Sequence, residues 1–269
     1  MAGRDPRDLE VLYRASVRVH EIVRDAQSSP HRADVVAIGA SGTPTEELDH
    51  LAETEILRVL DAEGVDWNLL SEEIGRVERG GARTLVVDPI DGTHNALRNR
   101  PFYAVCLALG HDHLAGIEAG LVRDLHHGTT WWAAEGTGAF RDGRPIRVRA
   151  WDARTETVFL NLGSNATERS LRLAGKARRV RSLGCASQEI LMVAQGSADG
   201  YFFENRTEER NLRATDLAAA YRILLEAGGG IADATGHSLE PFPLGLERRT
   251  SVLAWGDPAF RRTLEANYL

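Results

Sequence analysis

"LVVDPIDGTHNAL", residues 85–97, sets an apolar run against two aspartates, a proline and a glycine. Proline fixes its own φ, lacks an N–H and pushes the preceding residue toward extended geometry, so the run reads as a strand that stops at Asp88. Gly92 permits a sharp reversal, after which Thr93 and the next residues open a helix whose free N–H groups favour an anion. Asp88 and Asp91 are then held close together at a strand's end. Two like charges in one cleft are stable only when protonated or bridged by a cation, and hard oxygen ligands suit Mg²⁺ or Mn²⁺. Taken alone, the segment fits a plain turn somewhat better, with Asp88 ending the strand and Asp91 capping the helix.

The surroundings supply more acids. Upstream, "NLLSEEIG" (68–75) ends a short apolar run with Glu72 and Glu73; downstream, "TDLAAAYRILLEAGG" (215–229) puts Asp216 at the head of a helix. Leu9, Leu12, Val19, Ile22, Val23 and Ala26 recur at helical spacing over residues 7–27. A second helix is expected over 43–64, with Thr43 as cap, Pro44 in the first turn and Gly64 after the end. Extended runs follow at 67–70, 84–88, 102–109, 114–122 and 128–134, and Asp142-Gly143 reads as a hairpin turn. Residues 65–149 thus predict an antiparallel or mixed sheet backed by the opening helices. Beyond Trp151 strands and helices alternate, ending in a helix capped by Asp257-Pro258. The boundary falls near 150, giving lobes 1–150 and 151–269 that share an interface.

Composition narrows the function. Thirty-two basic against 39 acidic residues give the 269-residue chain a net charge of −7, which offers no global attraction to nucleic acid or anionic lipid. Lys176 is the only lysine, so Schiff-base and P-loop lysine chemistry has nowhere to reside. Cys106 and Cys185 lie in apolar or small-residue segments without metal or redox spacing and read as buried thiols of a reducing cytoplasm. No signal-peptide core or membrane-length apolar run is evident. "HDH" (111–113) and His126-His127 lack zinc-site spacing and read as polar turns. "GGG" (228–230) reads as a helix C-cap, and "KARRVR" (176–181) as a solvated strand edge.

Three motifs in order, "SEE", "DPIDGTHN" and "TDLAAAYRILLEAGG", resemble the inositol monophosphatase and fructose-1,6-bisphosphatase superfamily of metal-dependent phosphatases over nearly the whole chain. "GTPTEELDHLAE" (42–53) and "RNLRATD" (210–216) look closest to its archaeal-type dual-activity branch. The resemblance implies an α/β fold, an α+β sandwich layered α-β-α-β-α. It implies two or three Mg²⁺ per site, with Mn²⁺ as a substitute, held by Glu72, Asp88, the Ile90 carbonyl, Asp91 and Asp216. A water activated by the cation, by Glu72 and by a Thr93 hydroxyl paired to Asp49 would attack phosphorus in line. Asp91 and the Gly92 and Thr93 amides would face the phosphate, Gly184, Cys185 and Ala186 would present amides to the organic part, and Arg210 and Arg213 would reach a second phosphate. Asn95 reads as a turn-stabilising side chain. Two departures stand out: Cys185 replaces the commoner hydroxyl residue, and Ser41 stands where archaeal-type relatives often have an aspartate serving the third metal. The implied activity is hydrolysis of inositol monophosphate and/or fructose-1,6-bisphosphate by a cytoplasmic homodimer of carbohydrate metabolism, with a small phosphate ester as substrate and neither nucleic acid nor membrane as partner. Alternatives are a 3'-phosphoadenosine phosphate phosphatase or a non-catalytic metal- or phosphosugar-binding protein of the same fold.

Overall fold

The computed structural model describes residues 6–29, 31–40, 42 and 44–267. In chain order it contains α1 (Pro6–Ala26), β1 (Val35–Ile38), β2 (Pro44–Glu46), α2 (Glu47–Glu63), β3 (Asn68–Ser71), β4 (Gly75–Val77), β5 (Thr84–Asp91), α3 (Thr93–Ala96), β6 (Ala104–Gly110), β7 (Ile117–Asp124) and β8 (Thr130–Ala134). There follow β9 (Ala139–Arg141), β10 (Arg144–Ile146), β11 (Val158–Leu160), α4 (Glu168–Lys176), β12 (Val180–Arg181), α5 (Ala186–Ala194), β13 (Gly200–Phe203), α6 (Ala214–Glu226), β14 (Gly230–Ala232), β15 (Val252–Trp255) and α7 (Pro258–Asn267).

Period-two alternation in the strands builds the layers. On β5 and β6, Leu85, Val87, Val105, Leu107 and Leu109 pack with Leu12, Val19, Leu48 and Ile56 of α1 and α2. The intervening Val86, Ala104, Cys106 and Ala108 face the other way, onto Ile190 of α5 and Leu217 and Tyr221 of α6. The second sheet repeats the device. Tyr201, Val252 and Ala254 turn toward α5 and α6, whereas Phe202 and Leu253 turn toward Leu173 of α4 and Phe260 of α7. The result is an α-β-α-β-α sandwich whose middle helices serve two sheets. The first sheet is mixed, with order β10-β9-β8-β7-β6-β5-β3-β4 and one parallel pair, β3 with β5. The second has order β12-β11-β13-β15-β14, with β12 as its part-exposed edge.

Three expectations need correction. β5 does not stop at Asp88: it runs to Asp91, its pairing passing from Asp88↔Cys106 to Asp91↔Ala104. One extra residue is absorbed there as a bulge, the one place in a central strand where a proline without an N–H is tolerated. Second, Pro44 opens β2 rather than a helix, and α2 begins at Glu47 with Glu46 as its extended cap. The buried Thr45 gives its hydroxyl to Glu73 in the turn between β3 and β4, and the segment pairs with β1 as a two-stranded ribbon. That ribbon escaped notice because Val35, Val36 and Ile38 show no alternation and all lie exposed. Third, the strand expected from 114 begins at Ile117, after a 3₁₀ turn at Leu114–Gly116. Thr43 and Ser41 lie outside the described residues. Gly64 does end α2, in the left-handed conformation, and Asp142 and Gly143, with φ of 47° and 74°, form the β9–β10 turn.

Candidate active site

The bulge in β5 has a direct chemical effect. Residues three apart on a regular strand point to opposite faces, but one inserted residue brings Asp88 and Asp91 to the same face, toward α5 and α6. Asp88, 6 % exposed, accepts from its own Ile90 N–H at 3.1 Å. Glu72 lies in the turn between β3 and β4, and Asp216 in the first turn of α6. One carboxylate oxygen from each of Glu72, Asp88 and Asp216 lies within 4.8 Å of the other two. Residues separated by as many as 144 positions therefore share one point.

Each acid has its own support. The Thr215 hydroxyl donates to Glu72 Oε1 at 2.5 Å and Arg213 Nη1 to Glu72 Oε2 at 3.2 Å. Asp216 Oδ2 accepts the backbone N–H of Arg213 at 2.6 Å, half of a capping box that starts α6. Asp91 is fixed from the opening of α5: Ala186 N donates to Oδ1 at 3.2 Å, and Ser187 N and the Cys185 thiol donate to Oδ2 at 2.7 and 3.1 Å. Gly92 makes this approach possible. Its φ is +87°, and a Cβ there would stand 2.8 Å from the Phe102 carbonyl oxygen and 3.2 Å from that of Gly184.

The electrostatics of the site are dominated by buried like charges. Burial pushes Asp88 well above the usual carboxylate range, and the charges of Glu72, Asp91, Asp216 and Asp49 add to it. Asp216 is raised by burial and then by Glu72, with Arg213 pulling the other way. Asp49, on the inner face of α2, is raised by burial and then by Glu73, Glu46 and Glu72, and its Oδ2 has no hydrogen-bond partner among the described residues. Asp91 is raised by burial against the opposing pull of its donors from Ser187, Cys185 and Ala186. An all-oxygen, part-buried set of acids with one guanidinium among them fits a hard divalent cation, which would relieve the repulsion that protonation otherwise must.

Several residues singled out in the sequence stand differently from the expected arrangement. The Thr93 hydroxyl is not paired to Asp49; it donates to the Ile90 carbonyl at 2.9 Å, because α3 is only four residues long and its opening turn folds back on the bulge. The Ile90 carbonyl thus already accepts one hydrogen bond. The Ala186 amide is taken by Asp91, and Gly184 N–H, with Leu183 N–H, serves the buried Glu189 carboxylate. Arg213 is 4 % exposed and bound to Glu72 rather than displayed. Arg210, on an exposed 3₁₀ turn, places Nη1 2.9 Å from the Asn165 side-chain oxygen once that amide is oriented to accept it. Asn95 bridges distant segments, donating to the carbonyls of Phe102 at 2.9 Å and Leu183 at 2.8 Å. Both cysteines are buried and free, and burial pushes both thiols up, as structural thiols require. His126 and His127 sit in a turn whose N–H groups cap Asp124. Thr215, inside the "TDLAAAYRILLEAGG" motif, and Ser187 and Glu189, just past Ala186, hold Glu72, Asp91 and the Leu183 N–H through contacts that no local pattern announces.

The chain belongs to the inositol monophosphatase family, whose model matches residues 7–262. Membership makes it a phosphatase. The fructose-1,6-bisphosphatase/inositol-1-monophosphatase of Methanothermobacter thermautotrophicus is 32 % identical over 263 residues, spanning 92 % of this chain and 91 % of its own. The bifunctional NADP phosphatase/NAD kinase of Methanococcus maripaludis is 30 % identical over 82 % of this chain and 42 % of its own. A solved inositol monophosphatase–fructose 1,6-bisphosphatase matches with a TM-score of 0.80 at 27 % identity, covering 95 % of this chain and 97 % of its own. Among the described residues no helix is long and apolar enough to cross a membrane.

Proposed function

We propose that this protein is a Mg²⁺-dependent phosphomonoesterase that hydrolyses inositol monophosphate, fructose-1,6-bisphosphate or both and releases inorganic phosphate. The observation that carries the reading is the convergence of Glu72, Asp88 and Asp216 on one point. Two or three Mg²⁺, or Mn²⁺ in their place, would be held by these three with Asp91 and the Ile90 carbonyl; when bound they acidify a water and neutralise charge on the phosphate. The chain's own residues prepare the rest. Glu72, pinned by Thr215 and Arg213, is preset to take a proton from the attacking water. Thr93, its hydroxyl turned from the Ile90 carbonyl, would be the alternative acceptor of the water's proton, giving its own hydroxyl proton to Asp49, whose Oδ2 has no donor among the described residues. Gly92 and Thr93 amides bear on the phosphate, and the 184–186 turn faces the alcohol.

The same reading gives lobe 1–150 most of the metal ligands and lobe 151–269 Asp216 and the substrate contacts. It makes the protein cytoplasmic, in keeping with two free buried thiols, and a homodimer, the commonest closed assembly. The test is phosphate release at fixed Mg²⁺ from inositol-1-phosphate, fructose-1,6-bisphosphate and phosphoadenosine phosphate, with and without excess chelator. Release from one of the first two, abolished by chelator, is expected. Activity that survives the chelator, or no release from any of the three, overturns the proposal.

A further inference from the structure

A cavity of about 510 Å³ lies at the end of the second sheet, walled by the loop after β13, the turn after β14 and the segment before β15. Arg206, Arg248 and Arg249 line it, and none of the three forms an ion pair among the described residues. Arg248 lies over the Phe242 ring, 5.5 Å from its centroid, a contact that fixes the side chain without using its N–H donors. Arg249 is half-buried and spends Nη1 on the Asn211 carbonyl at 3.0 Å. Burial, and then the neighbouring Arg213, disfavour its charged form. Two of the three wall acids are committed elsewhere. Glu204 is committed to Arg169 and Thr167, and Asp233 caps its own turn through the N–H groups of Thr235 and His237. Glu208 is exposed and is the one wall carboxylate without an ion pair among the described residues.

Three guanidiniums facing one cavity repel each other unless an anion joins them, and in a chain of net charge −7 such a cluster runs against the overall balance. Its position supplies the reason. Asn211 belongs to the cavity wall, while Arg213 and Asp216, two and five residues on, belong to the acid cluster. The charges of Asp216 and Glu72 both bear on Arg249.

We propose that this cavity is a second anion subsite, in which Arg206, Arg248 and Arg249 hold a phosphate or pyrophosphate of the substrate other than the group being hydrolysed. The inference rests on the proposed phosphomonoesterase activity and sharpens it: the enzyme favours substrates with a second phosphorylated end over monophosphorylated polyols. It also moves the second-phosphate role from Arg210 and Arg213, whose guanidiniums are engaged elsewhere, to the adjacent Arg248 and Arg249 and the sequence-remote Arg206.

The test is the double variant Arg206→Ala/Arg248→Ala, both side chains being exposed and outside the core, with thermal melting to verify the fold. Specificity is read as the kcat/KM of fructose-1,6-bisphosphate, and separately of NADP, divided by that of inositol-1-phosphate, all with Mg²⁺. At least one ratio falls by about tenfold or more, the equivalent of about 1.4 kcal/mol, through KM. A fall confined to the sugar bisphosphate assigns a sugar phosphate to the cavity, and one confined to NADP assigns a dinucleotide pyrophosphate. Both ratios within about twofold of the parent overturn the subsite. Should the parent protein release no phosphate from any of them, the activity reading fails by itself. The subsite is then decided by calorimetric titration of the metal-free proteins with inorganic pyrophosphate: binding weakened about tenfold in the variant sustains it, and equal or absent binding overturns it.

Discussion

Asp88→Asn separates the two roles of the acid cluster, which repels itself without metal and binds when metal is present. The substitution keeps the side chain's shape and an oxygen for the Ile90 N–H, while removing one of the three converging negative charges. In chelator the variant should therefore melt no lower than the parent, since the lost charge faced Glu72, Asp91, Asp216 and Asp49. With Mg²⁺ at about 100 times the parent's Kd, binding linkage stabilises the parent by about 2.7 kcal/mol. At about 2–4 °C per kcal/mol for a chain of this size, the melting temperature rises by roughly 5–11 °C. If losing one charged ligand weakens the site about 100-fold, the same Mg²⁺ concentration gives the variant only about 0.4 kcal/mol, roughly 1–2 °C. The assay is a thermal melt of both proteins in chelator and in Mg²⁺, run beside phosphate release. A variant that keeps both the full Mg²⁺-induced rise and its turnover would refute the claim that these carboxylates form a metal site.

Two further perturbations probe the supports. Glu189 is buried, and desolvation raises it from 4.5 to about 8. A raised folded pKa means that its contribution is complete below the unfolded value and is lost as pH rises through about 8. Glu189→Gln in metal-free protein should therefore flatten the decline of urea-unfolding stability between pH 5 and 8 by up to about 1.4 kcal/mol per pH unit, and identical slopes would contradict this. Gly92→Ala puts a Cβ at left-handed φ and 2.8 Å from the Phe102 carbonyl oxygen. It should cost at least about 2 kcal/mol in denaturant titration and remove most activity, and a loss under about 0.5 kcal/mol would show that the turn has room.

Much of this architecture is written in local pattern. The apolar runs of β5 and β6, helical spacing in α1 and the Asp142-Gly143 turn are signals carried within a few residues, and each marks an element of the structure. Proline 89 misled because its rules are local: they forbid an ordinary ladder position but say nothing of a bulge that lets the ladder resume at Asp91. The convergence of Glu72, Asp88 and Asp216 followed from motif resemblance, since no spacing rule links residues that meet through the packing of α6 on the first sheet. Partners across long separations were out of reach in the same way. Nothing in "RATD" announces that its threonine holds Glu72, and nothing in "GCASQE" announces that its serine amide holds Asp91.

Asp91 is gripped by three donors that all belong to the opening of α5, though its own backbone belongs to the first sheet. A carboxylate beside the acid cluster is thus also the rivet between the first sheet and α5. A change in the opening turn of α5 therefore alters the setting of Asp91 and the seating of the helix on the first sheet together.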